Sequence, residues 1–144
     1  MCFNRIILTL MCLSISSVAI ATSINIPGNW SIESSVIYDQ NHKKVGEFFD
    51  PEWFPYKTGK EFINSFKKGF PDDPVTTKFI SSGSNKEVFW VCSEGEYHDG
   101  KGGSGIWYSR VFWVNGLLVV FYSYKSCQDN FEGILKIAQT LKYN

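Results

Sequence analysis

Hydrophobic and polar positions recur with two different periods along this chain, and each change of period marks an element. After the turn Pro27-Gly28-Asn29, the stretch Trp30-Ser31-Ile32-Glu33-Ser34-Ser35-Val36-Ile37-Tyr38 is rich in β-branched and aromatic residues and predicts a strand. Residues 45–49 return beside it across the polar connection 39–44, giving an N-terminal hairpin. Pro51 and Pro55 deny the next stretch ladder donors, so an irregular loop follows. Thr58 with Glu61 three residues later then forms a capping box. Phe62, Ile63, Phe66 and Phe70 fall on one apolar stripe, and Gly69 can end the turn in the left-handed conformation, so a helix is predicted over about 59–68.

Beyond the break Pro71-Asp72-Asp73-Pro74, the period returns to two, with strands over roughly 75–81, 87–94, 105–114 and 117–125. Asn115-Gly116 tolerates the positive φ that both positions of a type I′ turn require, so the last two strands form a tight hairpin. A two-residue turn sets Val114 against Leu117 and Phe112 against Val119 on one face, with Trp113 against Leu118 and Val111 against Val120 on the other. Both faces are apolar, whereas an antiparallel sheet with one wet face alternates; each side therefore needs a cover. Phe131, Ile134, Leu135, Ala138 and Leu141 recur at helical spacing and supply a second cover, with Asp129 or Asn130 as its cap. The fold class is α+β: an antiparallel β-sheet of about six strands with an internal helix and a C-terminal helix packed on it.

The opening "IPGNWSI", the early hairpin, the helix containing Phe62-Ile63-Asn64-Ser65-Phe66, the long antiparallel strands and the closing "ILKIAQTLKY" resemble the small PsbP-like domains, including bacterial secreted members. The resemblance lies in element order and apolar pattern. It implies accessory, binding and assembly roles more than catalysis, and it carries no site residue over to a position here.

Composition changes the picture at the N-terminus. Arg5 precedes 15 uncharged residues, 6–20, that end in Ala19-Ile20-Ala21, the pattern of a secretory signal peptide over residues 1–21. The run is shorter than the roughly 20 apolar residues a membrane helix needs, and it holds Thr9, Ser14, Ser16 and Ser17, so no stable membrane anchor is expected after cleavage. Bulky Met11 before Cys12 argues against a lipoprotein signal. A single domain over 22–144 remains, with 13 basic and 14 acidic residues once Arg5 is removed, a net charge of −1. That balance offers no basic stripe and excludes a nucleic-acid partner. Two cysteines, Cys92 and Cys127, are left in a chain bound for an oxidising compartment, periplasmic or secreted, and are expected to form one disulfide.

Glu94, Glu96 and His98 alternate along a strand end with Asp99 beside them, and such oxygen and imidazole donors suit a divalent cation; the alternative is a solvated strand end. The glycine-rich stretch 100–105 is no phosphate loop, because Lys101 precedes the glycines and a strand follows. It is no nucleophile elbow either, since Ile106 stands where a glycine is required. A nucleophilic Cys92 paired with His98 would be lost on disulfide formation. Trp53, Phe54 and Tyr56 sit in the proline-broken loop; either they offer aromatic anchors to a partner or they fold inward to close the core. The expected function is that of an exported, non-enzymatic binding or accessory protein without a cofactor. It would act through a protein or small-ligand interface, with an immunity-type inhibitor of a partner as one form. The competing class is a small metal-dependent hydrolase built on Glu94, Glu96, His98 and Asp99.

Overall fold

A computed structural model gives the fold over residues 22–49, 55–68, 77–98 and 100–143; the expected signal segment, Trp53, Phe54, Gly69, Phe70 and Asp99 lie outside the described residues. In chain order the elements are β1 (Thr22–Ser23), β2 (Ser31–Glu33), β3 (Val36–Tyr38), β4 (Lys44–Phe49), α1 (Gly59–Lys67), β5 (Thr77–Asn85), β6 (Val88–His98), β7 (Ser104–Val114), β8 (Leu117–Ser123), α2 (Phe131–Ala138) and β9 (Lys142–Tyr143). Seven of the described strands form one antiparallel sheet in the order β2-β3-β4-β8-β7-β6-β5, while β1 pairs with β9 separately.

The class is α+β, as the hydrophobic pattern predicts, with one strand more than expected in the main sheet. The extra strand arises at Ser34, whose φ of 57° turns the chain back, so that the single strand read over 30–38 is the tight hairpin β2–β3. Ser34 sits in the left-handed region that non-glycine residues seldom occupy, which is why a run of strand-forming residues hid the turn. Strands β5 and β6 also run further than their apolar patterns. The polar stretch Glu96-Tyr97-His98 registers against Ile106, Gly105 and Ser104, and Ser81 to Asn85 registers against Cys92 to Val88. Backbone pairing carries these segments where side-chain pattern does not.

The capping residues behave as their chemistry demands, with two corrections. Thr58 caps α1 by accepting the Glu61 N–H at 3.2 Å, but the Glu61 carboxylate accepts from the Lys57 N–H at 2.8 Å rather than completing a reciprocal box. At α2 the N-cap is Asn130, in the left-handed region at φ 50° and without a side-chain cap bond, while Asp129 instead accepts from the Ser123 hydroxyl at 2.7 Å.

Asn115 and Gly116, at φ 49° and 89°, make the predicted turn, and Val114↔Leu117, Trp113↔Leu118, Phe112↔Val119 and Val111↔Val120 register as expected. The alternation splits the core in two. Phe112, Val114, Leu117 and Val119 are buried with Ile134, Leu135 and Ala138 of α2. Val111, Trp113, Leu118 and Val120 are buried on the other face with Phe62 and Phe66 of α1. Each helix thus covers one face of the same central hairpin. Cys92 and Cys127 form a disulfide with a Cα–Cα distance of 6.0 Å, which ties β6 to the segment leading into α2. No helix among the described residues is long and apolar enough to cross a membrane.

Candidate functional site

The face under α1 does not fill completely. Alternation along β6 and β7 brings Val91, Ser93 and Gly95 to this face opposite Val111, Ser109 and Trp107. Ser93 and Ser109 are a registered pair, so two of the smallest side chains lie side by side in the middle of an apolar sheet. One step further, Trp107 lies across Gly95: a Cβ there would stand 2.7 Å from the indole, so only glycine lets the ring pack down on the strand. The serines make a floor, Trp107 an end wall, and Phe66 of α1 a roof. The result is a cavity of about 240 Å³, lined further by Phe49, Thr77, Val111, Leu118 and Val120. An apolar cavity of roughly 150 Å³ already suffices to hold benzene.

Charged groups join the cavity at one end. Tyr122, opposite Ser109 on β8, lines the cavity and meets the edge of Trp107 at a centroid distance of 5.6 Å. Its phenol donates a short hydrogen bond to the Glu47 carboxylate on β4. Lys44 completes the group: its Nζ lies 2.9 Å from Glu47 Oε2 and 5.5 Å from the centre of the Tyr122 ring. Burial, reinforced by the bond to Glu47 and its negative charge, holds the Tyr122 phenol well above the ordinary tyrosine range, so it remains a neutral donor. Beyond this group, Tyr124 packs edge-on to Tyr97 at 5.9 Å, and Lys43 Nζ sits 4.9 Å over the Tyr124 ring.

The residues singled out from the sequence lie elsewhere. Glu94, Glu96 and His98 continue the alternation of Cys92, on the face of β6 away from the cavity, with Glu96 and His98 exposed and Glu94 half-buried. Among the described residues, no three histidine, cysteine, aspartate or glutamate side chains gather as a metal-binding group. Cys92 is bonded to Cys127, which removes it as a nucleophile. Tyr56 is half-buried, with its ring edge-on to Phe62 at 5.7 Å, and so packs against the helix that roofs the cavity; its loop neighbours Trp53 and Phe54 are outside the described residues. Sequence reading missed Ser93, Ser109, Trp107, Tyr122 and Glu47. The available signal was the interruption of an apolar face by Ser93 and Ser109 at matching depths in two paired strands. Comparison with protein-family models, with curated proteins and with solved structures yields no match, so the site is defined by its own geometry.

Proposed function

We propose that the protein is an exported, non-enzymatic binding protein that holds a small apolar ligand in the cavity between α1 and the sheet. One observation carries the reading: a cavity of about 240 Å³ lined mostly by aromatic and aliphatic side chains, with the hydroxyls of Thr77, Ser93 and Ser109 and the Tyr122–Glu47 pair as its few polar groups. Ligand sites have this character, mostly apolar walls with a few placed polar groups that fix orientation. Export is supported by the signal pattern in residues 1–21 and by a disulfide suited to an oxidising compartment. The resemblance to PsbP-like domains is in keeping with a binding or accessory role. Of the two interfaces open at the outset, small ligand and protein partner, the cavity favours the first, since Tyr56 is turned toward Phe62.

The test is thermal stability of the purified oxidised protein against a panel of apolar small molecules. A ligand held only by the folded state at one hundred times its Kd adds about 2.7 kcal/mol. Ser109→Phe fills the floor of the cavity and should abolish the shift while the variant keeps its own cooperative melt. A panel that shifts the wild type and this variant equally would refute a cavity ligand.

A further inference from the structure

We infer that the ligand is a medium-chain carboxylate, its chain in the cavity and its carboxylate at the Tyr122 end beside Lys44 and Lys43; this rests on the cavity being a ligand site. The lining carries the hydroxyls of Thr77, Ser93 and Ser109, and charged side chains join it at Tyr122. Phe66, Val111 and Leu118 offer a carboxylate nothing, whereas Tyr122 brings a phenol joined to Glu47 and Lys44. A bound amphiphile therefore has one orientation.

The charges then select the headgroup. Glu47 already accepts from both the Tyr122 phenol and the Lys44 ammonium, so its two oxygens are engaged and its charge is balanced by Lys44. Among the described residues, Lys44 pairs with Glu47 and Lys43 lies over the Tyr124 ring, so two ammonium groups accompany one carboxylate here. The faces of Tyr122 and Tyr124, which would otherwise attract a cationic headgroup, are occupied by the protein's own ammonium groups at 5.5 and 4.9 Å. An ammonium ligand would have to displace them and endure their repulsion. A carboxylate there is attracted by Lys43 and Lys44, whose exposed side chains can turn toward it.

Calorimetric titration of the purified oxidised protein with three ligands of equal chain length, octanoate, 1-octanol and octylammonium, tests the assignment. Octanoate should bind about two- to fivefold more tightly than octanol, the range of a solvent-exposed ion pair, and octylammonium more weakly than octanol. The octanoate preference should shrink in 0.5 M salt, which screens exposed charges. In the double variant Lys43→Gln, Lys44→Gln the octanoate-to-octanol ratio should fall to about one. Lengthening the acid from six to eight carbons should tighten binding about fourfold per methylene. Tightest binding by octylammonium, or an octanoate preference that survives the double variant, overturns the headgroup assignment and leaves the cavity reading standing. No saturable binding by any of the three overturns both.

Discussion

Arg110 donates to the backbone carbonyl of Asp129, not to its side chain, although the two residues carry opposite charge. Arg110, only 3% exposed, also reaches with its guanidinium the carbonyls of Phe121 at 3.1 Å, Tyr122 at 3.2 Å and Cys127 at 3.5 Å, while the Asp129 carboxylate takes the Ser123 hydroxyl. One buried cation thus gathers the carbonyls of β8 and of the segment entering α2. Burial lowers the Arg110 pKa and Asp129 partly offsets that, but the group remains charged. Arg110→Ala leaves several buried carbonyls unpartnered and should cost about 3 kcal/mol in urea denaturation. A loss below about 1 kcal/mol would mean that water replaces the guanidinium at little cost.

The disulfide holds the same segment from the neighbouring strand, through Cys92 on β6, which registers with Arg110. Its loop of 35 residues contributes on the order of 3 kcal/mol by chain-entropy reasoning. Cys92→Ser with Cys127→Ser should lower the melting temperature accordingly, and the oxidised wild type should take up no thiol reagent at these positions when denatured without reductant.

Tyr122 gives stability an alkaline limit. Its folded-state pKa lies above the unfolded value of about 10, so between the two the folded protein binds more protons than the unfolded one and stability falls as pH rises. Melting temperatures measured from pH 8 to 11 should decline more steeply for the wild type than for Tyr122→Phe above pH 10. Parallel curves would mean that the Tyr122 phenol ionises alike in both states.

Helix α1 roofs the cavity from a fixed seat: a Cβ at Gly59 would stand 2.2 Å from the Phe89 ring, so the first residue of the helix rests on β6. Gly59→Ala should lift this end and cost about 1–3 kcal/mol, the usual penalty of overpacking. Phe89→Leu should recover part of that loss, because the ring is what the new methyl meets.

Much of the fold was legible because its signals are local. Asn115-Gly116 set the register of β7 and β8, and that register alone sorted Val111, Phe112, Trp113 and Val114 onto their two faces. Thr58 announced the start of α1, and an even number of cysteines announced the disulfide. Two features escaped. The turn at Ser34 requires a left-handed residue inside a strand-like run, and the polar end of β5, beyond the strand read over 75–81, is held by its ladder with β6 and not by its own pattern. The cavity escaped as well: Ser93 and Ser109 are unremarkable singly and matter only once the register of β6 with β7 sets them together under Phe66. Charged residues drew notice in the sequence, yet Glu94, Glu96 and His98 project from the opposite face, while Glu47 is joined to the cavity by its bond to Tyr122.

The central claim is that one face of the β7–β8 hairpin receives a ligand, and methyl NMR reads the two faces separately. On titration with octanoate, the methyl resonances of Val111, Leu118 and Val120 should shift saturably, because these residues line the cavity. Those of Val114, Leu117 and Val119, buried on the α2 side, should stay in place. Shifts on the α2 side, or no saturable shift at Val111, Leu118 and Val120, would contradict the account.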